Sequence, residues 1–338
     1  MTLRCPACGT RYTTGASFCT RDGSRLLPSE PTAVAAPDPL PGQLLAGRYQ
    51  VRARVAEGGM AVVYAADDVV SGEPLALKVL APVLTGDVTA MTRLRREAEL
   101  GALLRHPNVC PILAMGSAPG GVVFVVMPFL AGETLAQRLQ RGVLAPAVVA
   151  AVVHDVAAGL HAAHTLGIVH RDLKPENVMI CPAGGWAGNG HAAPTVGERC
   201  VVMDFGLATS LQARMAARRL TRTGMVMGTP EFMSPEQLRD EPLDARSDVY
   251  ALALVACELL TGRLPFDGET QQEQMLARLQ VAPTPLHALH AGLALPPGVE
   301  SVMRRGLASD REQRFATAPA FAAAFAAAVH GTGPRVWP

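Results

Sequence analysis

The chain has 338 residues, 49% of them apolar, which is enough to bury a large core in two to three domains. Its 30 basic residues balance 29 acidic ones, so no global charge draws it to nucleic acid or to an anionic membrane. Seven scattered cysteines suit a reducing compartment better than a disulfide scaffold, and no apolar run approaches the roughly 20 residues of a membrane span. The longest are Val249–Leu260, interrupted by Glu258, and Ala316–Val329, mostly Ala. Without an apolar leader after Met1, the expectation is a soluble cytoplasmic protein that engages no membrane.

In chain order, residues 1–27 come first. They hold Cys5-Pro-Ala-Cys8-Gly9 and Cys19-Thr-Arg-Asp22-Gly23, two knuckles ten residues apart, each followed by glycine. The pattern resembles a zinc ribbon whose fourth thiolate is replaced by a carboxylate, which implies Cys5, Cys8, Cys19 and Asp22 as ligands of one Zn²⁺. Leu3, Tyr12, Phe18, Leu26 and Leu27 are too few to offset the entropy of ordering the segment, about 1–2 kcal/mol per residue, so either a metal contributes or the segment is a metal-free remnant that stays disordered. Four arginines with little aromatic surface argue against nucleic acid and leave a protein partner as the module's use. Residues 28–47, Pro- and Ala-rich over 28–42, read as a linker.

From residue 48 the pattern changes. Tyr49, Val51, Ala53 and Val55 alternate, Ala61–Ala66 and Leu75–Leu80 are short apolar runs, and a Ser71-Gly72-Glu73-Pro74 turn separates the last two. A helix is expected over about Ala90–Leu104, then two more strands ending at Met127. Beyond Gly132 the pattern is mostly helical. Pro146 suits a first helical position, Val149, Val152, Val153, Val156, Leu160 and Ala163 share a face, and Val249–Leu260 reads as a buried central helix. Residues 182–199 are a Gly-rich insertion whose flanking Cys181 and Cys200 could meet across a hairpin, reduced. The pairs His161/His164 and His287/His290 read as solvated helix faces.

The strongest chemical signal is His170-Arg171-Asp172-Leu173-Lys174-Pro175-Glu176-Asn177. Phosphoryl transfer needs a carboxylate to orient the hydroxyl nucleophile, a cation near the γ-phosphate and a Mg²⁺ ligand, and Asp172, Lys174 and Asn177 supply them. Asp204-Phe205-Gly206 adds a second metal carboxylate. Ala76-Leu77-Lys78 ends a strand with a lysine for the α/β-phosphates, and Glu97 is its expected partner. Only two of the 30 basic residues are lysines, Lys78 and Lys174, and both fall inside these motifs, where a compact ammonium works and a guanidinium fork does not.

With these motifs in order, residues 48–330 resemble a bacterial eukaryotic-like (Hanks-type) Ser/Thr protein kinase. Further matches are Glu57-Gly58-Gly59-Met60, His106-Pro107-Asn108, Gly228-Thr229-Pro230, Met233-Ser234-Pro235-Glu236-Gln237, Arg246-Ser247-Asp248-Val249-Tyr250 and Arg314-Phe315. The resemblance implies an α+β bilobal fold: an antiparallel sheet with one helix (48–127), a hinge (128–132), a mostly helical lobe (133–330) and a short tail (331–338). It implies ATP and Mg²⁺ as cofactors, Ser/Thr-bearing proteins as substrates, a buried Glu236–Arg314 pair, and Asp248 anchoring the catalytic loop.

For the nucleotide it implies Val55, Ala56, Glu57, Gly58 and Gly59 over the phosphates and Val63, Ala76 and Met179 around the adenine. Met127 is the gatekeeper, and Pro128 C=O and Leu130 N–H are the hinge acceptor and donor. Two positions depart from the family. Ala56 and Ala61 replace glycines, which predicts a stiffer loop, and Pro128 stands where an acidic residue is usual while keeping its carbonyl. The segment 207–230 carries Arg214, Arg218, Arg219 and Arg222 around Thr221 and Thr223 with no acidic residue, as expected of a loop ordered by phosphothreonine. A second reading stays open, a scaffold that binds nucleotide and partners without turnover.

Overall fold

The computed structural model describes residues 38–58, 61–81, 88–182, 197–205, 230–268, 270–292 and 295–331, with three short strands nearer the N-terminus. The chain divides into two compact units, Met1–Gln43 and Leu44–Pro338. In the first, β1 (Thr2–Arg4) pairs antiparallel with both β2 (Arg11–Thr13) and β3 (Leu27–Pro28). Cys5 and Cys8 fall in sequence between β1 and β2, and Cys19 and Asp22 between β2 and β3. All four lie outside the described residues.

The second unit opens with a six-stranded antiparallel sheet of β4 (Leu44–Leu45), β5 (Tyr49–Glu57), β6 (Ala61–Asp68), β7 (Pro74–Leu80), β8 (Ala114–Ala118) and β9 (Val122–Pro128), in the order β4-β5-β6-β7-β9-β8. The expected turn is built by Gly72, at φ 76°, which closes on Asp68 O at 2.7 Å. The sheet's one helix, α1 (Val88–Leu103), follows β7. Past the hinge, β10 (Glu133–Thr134) pairs with β11 (Val178–Pro182), which pairs with β12 (Glu198–Val202). Gly132 makes this docking possible: it stands at φ +146°, and a Cβ there would lie 2.0 Å from Ile180 O.

The helical lobe holds α2 (Leu135–Leu139), α3 (Pro146–His164), α4 (Pro235–Leu238), α5 (Ala245–Thr261), α6 (Gln271–Gln280), α7 (Leu286–Leu289), α8 (Pro297–Gly306) and α9 (Ala318–Val329). Helix α5 starts on the Asp244 side-chain cap, ends at Gly262 (φ 73°), and is buried nearly all round. Fully burying one of its Val or Leu side chains contributes about 1.5–3 kcal/mol. Helix α3 lays its Val149, Val152, Val153, Val156 and Leu160 face on this core, and Ala-rich α9 packs against α3 with its Phe321 and Phe325 buried in the same core.

The membrane expectation needs one correction. Helix α3, 19 residues long, meets the length and composition of a span, although its apolar face is part of the core. The sequence reading missed it because its apolar residues are small and are broken by His154 and Asp155. The cysteine expectation is refined: Cys200 sits opposite Ile180 and Cys181 opposite Arg199, and both thiols are free. Burial pushes the Cys200 thiol up to about 12, which makes it inert.

Candidate active site

The loop after α3 carries Asp172, and its backbone is held from α5. The Asp248 carboxylate accepts the His170 N–H at 2.8 Å and the Arg171 N–H at 2.9 Å. Arg171 stands at φ 68° and Asp204 at φ 62°, left-handed conformations that cost on the order of 1–3 kcal/mol each and persist only where surroundings enforce them. His170, fully buried, lies edge-on to Phe205 at 4.7 Å. Its Nε2 faces Met203 O at 2.8 Å and its Nδ1 faces the Asp172 N–H at 3.3 Å, so the partners fix Nε2 as donor and Nδ1 as acceptor.

Asp172 is reached by Lys174 Nζ at 3.2 Å and by Asn177 Nδ2 at 3.2 Å, and Asn177 also donates to Asp172 O at 2.7 Å. Asn177 O in turn accepts the Met203 N–H at 2.8 Å, tying this loop to the residue before Asp204. From the sheet side, Lys78 Nζ pairs with Asp204 Oδ1 at 2.7 Å. Burial works to raise the Asp204 pKa, but the Lys78 charge and hydrogen bond outweigh it, with His170 and Lys174 adding, and the carboxyl stays below its ordinary range. The expected partner of Lys78 was Glu97, whose side chain lies outside the described residues.

The cleft above is aliphatic. Ala76 is paired in register with Met127, and Lys78 with Val63 and Val125. Val63, Leu130 and Met179 pack on the cluster that contains Ala76 and Met127. Pro128 closes the ladder opposite Leu75, where its missing N–H costs nothing further because Phe129 takes over by donating to Pro74 O. Val55, Ala56 and Glu57 form the exposed end of β5, Glu57 pairs with Arg54, and the Gly58 N–H bonds Ala61 O at 2.9 Å. Gly59 lies outside the described residues. Ala56 and Ala61 are ladder positions on β5 and β6 and neither has a positive φ, so alanine adds no strain there.

Several supporting contacts were not identified from sequence, although Asn108 and Gln237 belong to motifs named there. His164, read as solvated, is corrected: its side chain is 8% exposed and its Nε2 meets Asp248 Oδ2 at 2.7 Å. Asn108 Nδ2 holds Cys200 O at 2.8 Å, while Asn108 O and the Cys110 N–H clamp Val202, so the His106-Pro107-Asn108 turn fastens β12 ahead of Asp204. Asn108 packs against Gly159 of α3, where a Cβ would come within 2.6 Å of its carbonyl oxygen. Gln237 Nε2 donates to Arg171 O at 2.7 Å. All of these contacts are long-range, 84, 92 and 66 positions apart in sequence.

The expected buried pair is present. Arg314 grips Glu236 with two bonds of 2.7 and 2.8 Å, Ser247 Oγ adds a third, and the guanidinium lies over Tyr250 at 4.7 Å. Beside the catalytic loop, Glu258 of α5 has its carboxyl pushed up to about 7 by burial and by the charges of Glu176 and Glu231. Thr221 and Thr223 lie outside the described residues.

An antiparallel sheet lobe, a helical lobe, and a lysine reaching from one to a carboxylate cluster on the other define the protein kinase class of fold. Residues 49–325 match the model of the protein kinase domain, and the chain belongs to that family. It is 36% identical over 283 residues to serine/threonine-protein kinase pkn3 of Myxococcus xanthus, covering 83% of this chain and 50% of that one. It is 37% identical over 287 residues to PknL of Mycobacterium tuberculosis, covering 85% and 67%. The chain thus spans half to two thirds of the length of these relatives. The crystal structure of the Mycobacterium tuberculosis PknI kinase domain superposes with a TM-score of 0.62 at 28% identity, covering 84% of this chain and 97% of that one.

Proposed function

We propose that the chain is a protein serine/threonine kinase, transferring the γ-phosphate of ATP to Ser or Thr hydroxyls. The observation that carries this reading is the junction of Lys78 with Asp204 at 2.7 Å, beside the Asp172–Lys174–Asn177 cluster. The acceptor hydroxyl attacks the γ-phosphorus as the bond to the β-bridging oxygen breaks, ADP leaves, and the hydroxyl proton passes to Asp172. Lys174 balances charge on the transferred group, Lys78 holds the α/β-phosphates, and Val63, Ala76, Met127 and Met179 exclude water around the base. The Asp204 carboxylate and the Asn177 amide oxygen are hard donors that fit Mg²⁺, which supplies charge neutralisation on the phosphates. The Glu176 and Glu231 carboxylates, close enough to raise the buried Glu258 carboxyl, favour acceptor peptides with basic residues near the hydroxyl.

The complete set of ionisable groups and the kinase relatives favour turnover over a scaffold role. The test is γ-labelled ATP, Mg²⁺ and a basic protein acceptor: label incorporation above an Asp172→Asn control is expected, and incorporation no greater than that control overturns the reading. Autophosphorylation at Thr221 and Thr223, a Zn²⁺ on Cys5, Cys8, Cys19 and Asp22, a protein partner for residues 1–27 and a cytoplasmic location belong to the same proposal. Three short antiparallel strands with the candidate ligands between them in sequence support the metal site. Elemental analysis finding no zinc in chelator-free protein excludes it.

A further inference from the structure

Helix α4 is anchored in the helical lobe by its second residue, since Glu236 is clamped by Arg314 and by Ser247. The next residue, Gln237, uses both ends of its side-chain amide. Its Oε1 accepts the Ser234 N–H at 3.0 Å and the Ser234 hydroxyl at 3.2 Å. Its Nε2 donates to Arg171 O at 2.7 Å, across 66 positions of sequence. These partners assign the orientation of the amide, because a backbone N–H can only donate and a carbonyl can only accept. A capping box needs the oxygen alone, so the bond to Arg171 is additional to helix capping. Ser234 is fully buried, which fixes the oxygen on a rigid partner and thereby aims the nitrogen.

The Arg171 carbonyl belongs to the peptide unit whose nitrogen is that of Asp172. Among the described residues this unit makes two hydrogen bonds: the short one from Gln237, and a longer one from the Asp172 N–H to His170 Nδ1 at 3.3 Å. Arg171 stands at φ 68°, a conformation that relaxes unless its surroundings enforce it. Asp248 enforces it on the N–H side at 2.9 Å, and Gln237 on the carbonyl side. The peptide unit is planar, so turning it re-aims the Asp172 side chain, which starts from the next Cα. A shift of about 1 Å in a reacting group costs on the order of 10²-fold in rate, so even a partial turn matters. On the other end of the tie, Ser234 lies three residues after Glu231, which the kinase reading places beside the acceptor peptide.

We propose that Gln237 is a positioning residue for phosphoryl transfer: it ties the Arg171–Asp172 peptide to the segment 231–234, so that Asp172 is aligned with the acceptor hydroxyl when that segment is seated on α4. The part of Asp172 as proton acceptor rests on the kinase reading, whereas the hold of Gln237 on the loop does not. The test compares Gln237→Glu with Gln237→Met in the full chain. Glutamate keeps the acceptor that a capping box requires and loses the donor to Arg171 O, while methionine loses both.

With γ-labelled ATP and a basic Ser/Thr peptide, kcat should fall about tenfold in both variants with KM for ATP unchanged. Tm should hold in Gln237→Glu, which keeps its cap, and fall in Gln237→Met. In Gln237→Glu, deuterium exchange of the amides over 170–173 should be about threefold faster or more, with exchange over β7 as in wild type. A wild-type kcat in Gln237→Glu beside a lowered kcat in Gln237→Met assigns the residue to capping and overturns the proposal. A rise in KM for ATP at constant kcat overturns it as well, and so does unchanged exchange over 170–173. A wild-type protein without turnover defeats the kinase reading instead, and the exchange comparison then decides by itself whether Gln237 holds the loop.

Discussion

Lys78 stands in the middle of β7, paired in register with Val63 on one side and Val125 on the other. Asp172 and Asp204 stand in loops and Asn177 in a short 3-10 turn, where no ladder places them. Their backbone is held instead by residues far away in sequence: Asp248 is 77 and 78 positions from the two amides it accepts, and Asn108 is 92 from the carbonyl it holds. A strand position is set by local alternation and pairing, so one side chain can be changed without disturbing its neighbours. A loop position depends on buried polar groups that lose their partners together. The sheet side of the site is therefore modular and the helical side cooperative.

Four substitutions break or sharpen this contrast. The largest effect is expected from Asp172→Asn, which removes the proton acceptor: kcat should fall by about 10³-fold with Tm nearly unchanged, read with γ-labelled ATP. A variant retaining a tenth of the wild-type rate would take Asp172 out of the reaction. Lys78→Arg comes next, with a loss on the order of 10²-fold in kcat/KM, about 3 kcal/mol, because the larger fork disturbs both the phosphate contact and the pair with Asp204. Modularity requires its melting curve to match wild type, and a large drop in Tm would end the contrast.

Asp248→Asn should behave oppositely. One of its acceptor oxygens becomes an amide NH2 donor facing an N–H donor, so the His170, Arg171 and His164 contacts cannot all be made. We expect kcat to fall about tenfold and Tm to fall with it, for a cost of about 2–3 kcal/mol. A fall in rate alone, seen by calorimetry beside kinetics, would make the helical side as modular as the sheet side.

The smallest effect tests whether charge is costly in that cooperative region. The Glu258 carboxyl is raised to about 7, and its Oε2 has no hydrogen-bond partner among the described residues. A folded pKa above the unfolded one favours folding fully below the ordinary carboxylate range, and this contribution is lost as pH rises through 7. Glu258→Gln should then raise stability relative to wild type at pH 8 by about 1–2 kcal/mol and much less at pH 5, as urea titrations at the two pH values would show. An equal gain at both values would remove the titration from the account.

Much of the fold was legible in the chain. Alternation in Tyr49–Val55 and the short runs of β6 and β7 specify strands because each needs only its own period and a turn at Gly72. The all-apolar stretch of α5 likewise announces a buried helix. The reacting groups were legible too, since Asp172, Lys174, Asn177 and Asp204 sit in contiguous motifs whose spacing is short. What sequence alone left out are pairings across long separations. The described ion pair of Lys78 is with Asp204. His164 is buried on Asp248 although its helical spacing reads as a solvated face. Ala56 and Ala61 are unstrained because the ladder, and not the loop, sets their φ.

The chain by itself determined periodicity, turns and the identity of the reacting groups, because these depend on residues within a few positions of one another. Tertiary structure alone decided which charges meet and which are left unpaired, because desolvation and Coulomb energy depend on distance in space.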